Sequence, residues 1–197
     1  MRRVMVGFIG LLLVLGLAAV GMSYFTDTAV SNGNVISTGD FDIGISKDGS
    51  RYYEKLKLFS FKDIAPGENR TFTFYVKNRG DYPISSVDVV FNVTDLEDGP
   101  LRGAEARVDT TPNVGELSKY LVVKDFRVDV AGNETVLRGY IGKTLRELNM
   151  TGVRVFSGAL RPGESMKVMI TFQLSPEAGN DCLTDISKLN LLITAGQ

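Results

Sequence analysis

The chain has no histidine among its 197 residues. That absence excludes the HExxH zinc site, the Ser-His-Asp triad and the Cys-His pair, all of which need an imidazole. The single cysteine, Cys182, excludes an intramolecular disulfide and any thiolate metal cluster built from one chain. We therefore expect Cys182 to be a small buried apolar residue, and the fold to be held by its core.

Tryptophan is also absent, and the formal net charge is only −1, from 22 basic and 23 acidic residues. The scarcity of aromatic platforms for sugars counts against paired-carboxylate glycosidase chemistry. The sequence contains no Lys/Arg cluster and no stripe that alternates basic with aromatic residues, so we predict no nucleic-acid partner. We also predict no cofactor and no enzymatic activity.

The first 23 residues have the composition of an export signal. Two arginines precede an uncharged apolar run from Val4 to Met22. Gly21 and Ser23 then place small residues at the −3 and −1 positions that a signal peptidase reads. We predict cleavage after Ser23, which leaves Tyr24 as the mature N-terminus.

An uncleaved membrane anchor is the alternative interpretation, because the 19-residue run from Val4 to Met22 approaches the length that spans a bilayer. The basic start and the lack of basic residues just after the run keep the N-terminus inside, so the rest of the chain is exported in either case. We predict an extracellular or cell-surface location, reached after export through the cytoplasmic membrane.

The predicted mature chain of 174 residues is long enough for one domain with a proper core. It carries 20 basic and 23 acidic residues, for a net charge of −3. Four asparagines lie in N-x-S/T sequons, as expected of a glycosylated surface protein. The predicted glycosylation sites are Asn69, Asn92, Asn133 and Asn149.

Apolar residues alternate with polar or small ones in most of the mature chain, which predicts half-buried β-strands. The runs are 41–45, 72–76, 87–93, 126–130, 166–174 and 189–195. Pro-Gly-Glu at 66–68 and 162–164 predicts two tight turns that each start a strand. A capping box from Thr144 to Glu147 predicts a short helix, and 115–121 could hold another turn. The pattern indicates an all-β sandwich with one or two short helices.

Acidic residues concentrate in two places. Asp95, Glu97 and Asp98 lie together, and three more aspartates lie near the mature N-terminus, Asp27, Asp40 and Asp42. Clustered carboxylates suit Ca²⁺, but neither set matches an EF-hand loop. We interpret both as solvated loop charge in preference to a calcium site, and we predict no metal centre.

The N-terminal segments resemble those of the TasA/camelysin family. Archaeal bundling pilus subunits are similar. The resemblance rests on the order of a basic start, an apolar run, Tyr-Phe-Thr-Asp at 24–27 and Ser-Thr-Gly-Asp-Phe-Asp-Ile at 37–43. It continues over 58–91, where the Pro-Gly-Glu turn at 66–68 leads into the segments 72–80 and 84–87, and it returns at 189–195. The stretch 95–160 has no recognisable counterpart.

The resemblance implies a jelly-roll sandwich that polymerises into an extracellular filament, either a pilus or a biofilm matrix fibre. In that scheme 1–23 is the signal peptide, 24–37 is a strand donated to the next subunit, and 38–197 is the sandwich domain. The predicted donated anchors are Tyr24, Phe25, Ala29, Val35 and Ile36. The implied partners are other copies of the chain and matrix or cell-surface components. The precursor would contact the membrane and a dedicated signal peptidase.

Other interpretations stay open. The segment 24–37 can instead be the first strand of its own sheet. A membrane-anchored or surface-layer-associated binding domain would share everything except cleavage and polymerisation. A type IV pilin would carry an acidic residue early in its apolar helix, and here the run has none. The metalloprotease activity ascribed to camelysin is not transferred, because the chain lacks histidine.

Overall fold

The computed structural model describes residues 26–30, 42–54, 59–61, 63–97, 103, 107–108, 114–179, 182 and 185–196. The predicted signal peptide and the Ser23–Tyr24 cleavage site lie outside these residues, as does most of the predicted donor segment. Within the described part of the chain, no helix has both the length and the apolar character needed to cross a membrane.

Ten strands and two short α-helices make up the described elements. The strands are β1 (Thr26–Val30), β2 (Ile43–Ser46), β3 (Phe59–Phe61), β4 (Asn69–Asn78), β5 (Ile84–Leu96), β6 (Leu121–Val130), β7 (Asn133–Val136), β8 (Gly152–Leu160), β9 (Ser165–Leu174) and β10 (Ile186–Gly196). The helices are α1 (Leu117–Tyr120) and α2 (Leu145–Leu148), with a 3₁₀ turn at Arg138–Tyr140.

The strands form two antiparallel sheets that face each other as a jelly roll. The first sheet has the order β1-β10-β5-β8, and β3 also pairs with β10. The second sheet has the order β2-β4-β9-β6-β7. Successive strands of the chain cross repeatedly from one sheet to the other, which gives both sheets an inward apolar face. The predicted all-β, jelly-roll-like sandwich is confirmed.

The core forms from the period-two alternation seen in the sequence. In β9 the alternate residues from Met166 to Leu174 are all buried, and they face the buried alternate residues of β5 and β10. Phe91 of β5 and Phe126 of β6 meet edge to face, with ring centroids 6.3 Å apart. That contact crosses between the sheets, and such aromatic pairs stabilise beyond the area they bury. Cys182 is buried, as predicted.

Both predicted helical turns are present. At α2 the Thr144 hydroxyl accepts a bond from the Glu147 amide at 3.2 Å, and the Glu147 carboxylate accepts one from the Thr144 amide at 2.6 Å. This is the predicted capping box, and the hydrogen bond from the Thr144 backbone amide lowers the pKa of Glu147. Leu145 and Leu148 anchor α2 in the core. α1 falls inside the predicted stretch 115–121.

The two Pro-Gly-Glu turns repeat one geometry. Gly67 and Gly163 have φ angles of +80° and +82°, a region that costs other residues energy. Glu68 accepts a bond from the Ala65 amide at 2.9 Å, and Glu164 accepts the equivalent bond from the Arg161 amide at 2.8 Å. Each turn then leads into a strand, β4 and β9, as predicted.

Asn78, at the end of β4, joins the two sheets through a fully buried side chain. Its Nδ2 donates to the carbonyl oxygens of Tyr82 at 2.8 Å and Leu160 at 2.9 Å, and its Oδ1 accepts from the Gly80 amide at 3.0 Å. Leu160 belongs to β8 in the opposite sheet. The Asn78 side chain therefore joins the turn after β4 to the end of β8.

We expect Asn78→Ala to lower the free energy of unfolding by about 2 to 4 kcal/mol, because two carbonyls and one amide lose their buried partner. Urea denaturation at neutral pH measures the change. Asn69→Ala is the matched control, since Asn69 is an exposed residue at the other end of the same strand. Equal stability of the two variants would contradict the role given to Asn78.

Candidate functional site

The outer edge of β10 is where the predicted donor segment meets the sandwich. On its inner side β10 pairs with β5 along its whole length, from Ile186 opposite Leu96 to Gly196 opposite Ser86. Its outer side is shared by two short strands, β3 near the start and β1 near the end. β10 is thus an inner strand of the first sheet, paired with β5 on one side and with two short strands from distant parts of the chain on the other.

β1 is antiparallel to the last five residues of β10. Thr26 is the register partner of Gly196, Thr28 of Thr194, and Val30 of Leu192. Among the described strands, β1 pairs with β10 alone, so β1 is an edge strand. Five residue pairs along one side give it few main-chain hydrogen bonds, which is the least secure position for a strand in a sheet.

The structure describes only part of the predicted donor segment. Ala29 lies in β1, opposite Ile193. The other predicted anchors and the residues of the cleavage site lie outside the described residues; these are Tyr24, Phe25, Val35, Ile36 and Ser23. In the single chain β1 completes its own sheet, which is the alternative arrangement left open by the sequence.

All four sequon asparagines are exposed, so each predicted glycosylation site is accessible. Asn69 starts β4, Asn92 lies within β5, and Asn133 starts β7 next to the hairpin turn. Asn149 has a structural role as well, because its Oδ1 accepts a bond from the Val93 amide at 2.9 Å. Its Nδ2, the atom that would carry a glycan, is not used in that bond.

The acidic residues near the end of β5 are only partly loop charge. Asp95 is the register partner of Ser187 in β10, and its carboxylate accepts bonds from the hydroxyl of Ser187 and from the amide and hydroxyl of Ser118. Arg146 of α2 approaches the same carboxylate at 3.7 Å. Asp95 therefore ties β5, α1 and β10 together, which corrects our interpretation of it as solvated charge. Asp98 lies outside the described residues.

Two further acids that the sequence analysis did not identify join Asp95 and Glu97. Asp185, just before β10, is only 5% exposed, and its Oδ2 accepts a bond from the Glu116 amide at 2.5 Å. Burial, helped by repulsion from the negative charges of Glu97, Glu116 and Asp95, raises the pKa of Asp185 to about 6 despite that bond. We call these four residues the acidic cluster. Among the described residues, no group of three or more His, Cys, Asp or Glu side chains is arranged to hold a metal ion.

A cleft of about 530 Å³ opens on the other side of the sandwich, between β6 and β7 of one sheet and β8 of the other. Apolar side chains form much of its floor, including Val128, Val155 and Phe156. Arg154 lies at its wall but is already paired with Asp88 at 2.5 Å. The lining residues therefore offer a partly apolar recess without a pair of carboxylates for acid-base chemistry.

No protein-family model matches the chain, and no curated protein matches it. Among solved structures it is similar to TmCBM61, which was solved in complex with β-1,4-galactotriose. The two share 10% sequence identity over 86% of each chain, with a TM-score of 0.30. A likeness at that score supports no inference about a ligand, and the resemblance to the TasA/camelysin family stays a prediction.

We expect Asn149→Ala to lower the free energy of unfolding of the unglycosylated protein by about 1 kcal/mol, because it leaves the Val93 amide without its acceptor. Thermal or urea denaturation measures the effect. Asn133→Ala, at an exposed sequon in the β7 hairpin, should change stability little. A loss at Asn133 as large as that at Asn149 would contradict the role given to the hydrogen bond between Asn149 and the Val93 amide.

Proposed function

We propose that the protein is the structural subunit of an extracellular filament, and that it polymerises by donating its N-terminal strand to the next subunit. The observation that carries the proposal is the pairing of β1 with the outer edge of β10. β1 is the short, peripheral strand that such a mechanism requires. The matching stretch of β10, Leu192–Gly196, is the acceptor edge.

The main-chain hydrogen bonds between β1 and β10 do not depend on which chain supplies β1. A strand from a neighbouring subunit would make the same bonds in the same register, which is the strand-addition mode of recognition. Exchange of an identical element between chains is a low-cost route to assembly.

The proposed contact joins two different surfaces, the N-terminal strand of one subunit and the β10 edge of the next. Such a heterologous contact does not close on itself unless the rotation happens to form a ring, so repeated addition gives an open filament. The predicted cleavage after Ser23 would free the N-terminal strand for donation. Until then the apolar run would hold the precursor at the membrane, where a dedicated signal peptidase would act.

A second candidate function is favoured by a specific observation. In the single chain β1 lies in its own first sheet, so the described sandwich is already complete without a neighbour. That arrangement suits a membrane-anchored or surface-layer-associated binding domain. The two candidates differ in whether residues 1–23 are retained and whether β1 pairs within or between chains.

Deletion of residues 24–36 tests the donated strand. We expect the truncated chain to stay folded but to form no filaments, because the β10 edge loses its added strand while the core strands keep theirs. Electron microscopy of the purified proteins, beside a chain that begins at Tyr24, measures assembly. Circular dichroism and thermal denaturation check that the truncated domain is folded. Filaments from the folded truncated chain would contradict the mechanism.

A cysteine pair shows directly which chain supplies β1. Thr28 and Thr194 are register partners, and directly paired residues in antiparallel strands have Cβ atoms about 4.5 to 5.5 Å apart, near the range that a disulfide needs. In a chain with Cys182→Ser, the double variant Thr28→Cys and Thr194→Cys should give covalent ladders on oxidation of the assembled sample. Pairing within one chain would give a cross-linked monomer instead, and would support the binding domain. Thr28→Cys combined with Lys188→Cys, which are out of register, is the control.

A further inference from the structure

The four sequons differ in how firmly the fold holds them. A glycan is attached to Nδ2 of the asparagine, and the enzyme that attaches it also recognises the hydroxyl group two residues later, so the motif must be presented as an accessible segment. Exposure of the asparagine side chain is therefore not sufficient. The main chain of the sequon must also separate from its neighbours, and each hydrogen bond that is lost raises the cost of that separation.

Asn92 lies in a strand that is held on both sides. On one side Asn92 is the register partner of Asn190 in β10. On the other side the amide of the next residue, Val93, donates to Asn149 Oδ1 at 2.9 Å. The Asn92 sequon therefore leaves the sheet only if bonds to two other segments break.

Two other sequons have their hydroxyl groups engaged. Thr71, in the sequon that begins at Asn69, shares a hydrogen bond with the hydroxyl of Thr171 in β9, with the two oxygens 2.8 Å apart. Thr151, in the sequon that begins at Asn149, donates to the backbone carbonyl four residues earlier at 3.3 Å. In both sequons the hydroxyl that the enzyme must recognise already has a partner.

The Asn133 sequon is the least restrained of the four. It lies in β7, an edge strand that pairs with β6 alone among the described strands. Asn133 and Thr135 are both exposed. Within the part of the chain that the structure describes, neither the Asn133 side-chain amide nor the Thr135 hydroxyl makes a hydrogen bond. Both groups that the enzyme needs are therefore open, on a strand held from one side.

The same two side chains line the cleft between β6, β7 and β8. Asn133 and Thr135 are the register partners of Val130 and Val128, which also line it. The floor is apolar, and the lining also includes polar and charged groups of both signs: Ser157, Arg161 and Glu164. A pyranose ring suits such a lining, because its C–H faces are apolar and its hydroxyl groups are polar. The volume of about 530 Å³ is in the range of small-ligand sites.

We propose that Asn133 is the sequon that receives a glycan on the folded chain, and that the first sugars of this glycan pack into the cleft between β6, β7 and β8. Attachment forms a bond between Nδ2 and the anomeric carbon of a lipid-linked sugar phosphate. The bond from that carbon to the phosphate oxygen breaks, the phosphate leaves with the electron pair, and the Nδ2 proton passes to a base of the transferase.

The tether makes a weak contact between sugar and cleft sufficient. A ligand that is attached beside its own binding site has a high effective concentration there, so no large intrinsic affinity is needed to hold it. The bound sugars would cover Val128, Val155 and Phe156 at the open side of the sandwich. This proposal rests on the proposed export of the chain and is independent of filament assembly.

Glycosylation of the purified, folded, full chain in vitro tests the site. The probe is an oligosaccharyltransferase specific for N-x-S/T, supplied with a lipid-linked oligosaccharide, and glycopeptide mass spectrometry gives the rate at each sequon. Synthetic peptides with the same four sequons measure the intrinsic preference of the enzyme. After division by that preference, we expect Asn133 to be modified at least about tenfold faster than Asn92, because the Asn92 sequon must first leave its sheet. A folded chain whose Asn133 is modified no faster than Asn92 would overturn the proposal.

NMR and thermal denaturation of the chain modified at Asn133 test the cleft. We expect the methyl signals of Val128 and Val155 to shift on modification, whereas those of Val76 in β4, which does not line the cleft, should not. The melting temperature should rise, and the rise should be smaller in Phe156→Leu, where an aliphatic side chain replaces the ring. Asn133→Gln gives the unmodified reference in each background. Unchanged Val128 and Val155 signals, with equal rises in the two backgrounds, would show that the glycan extends into solvent and would overturn the proposal.

Discussion

The buried side-chain amide of Asn78 fixes how the two sheets of this sandwich meet. The contacts between sheet faces are apolar, and the hydrophobic effect is non-directional, so it sets the distance between layers better than their relative position. Asn78 adds direction, because its three hydrogen bonds have preferred geometries and join the end of β4 to β8 of the other sheet. The chain crosses between sheets at this corner, so the placement of later strands depends on it.

The strands that the sequence predicted are those with one apolar face over several residues. β9 is the plainest case, with five alternate buried residues. β8 was not predicted, because register shifts against β5 interrupt the alternation of its side chains. β7 was not predicted either, since all four of its residues are exposed and, among the described strands, it pairs with β6 alone. Local patterns predict burial, and they do not reveal strands that are stabilised by main-chain pairing alone.

The candidate sites depended on information that local patterns do not hold. The acceptor edge requires the order of strands in the first sheet, and period two is compatible with many orders. The acidic cluster is a similar case, because Asp95 and Glu97 are close in sequence, whereas Asp185 is brought beside them by the pairing of β10 with β5, and Glu116 by the contacts of the α1 segment with Asp185 and Asp95. What the sequence could predict was the fold class, the two helical turns and the exposure of the sequons. The convergence of distant side chains had to come from the structure.

The division of the β10 edge between two strands has a consequence for the length of any segment bound there. β3 occupies Ser187–Leu189 and β1 occupies Leu192–Gly196, so only two positions separate them. A strand that continued past Val30 along the same edge would meet β3 after two residues. β3 therefore limits the length of a strand paired at this edge. It also limits shifts of register toward β3, because a strand displaced in that direction would have no unpaired part of β10 left to bind. The position of β3 thus sets the maximum length of the segment that can pair with this part of β10.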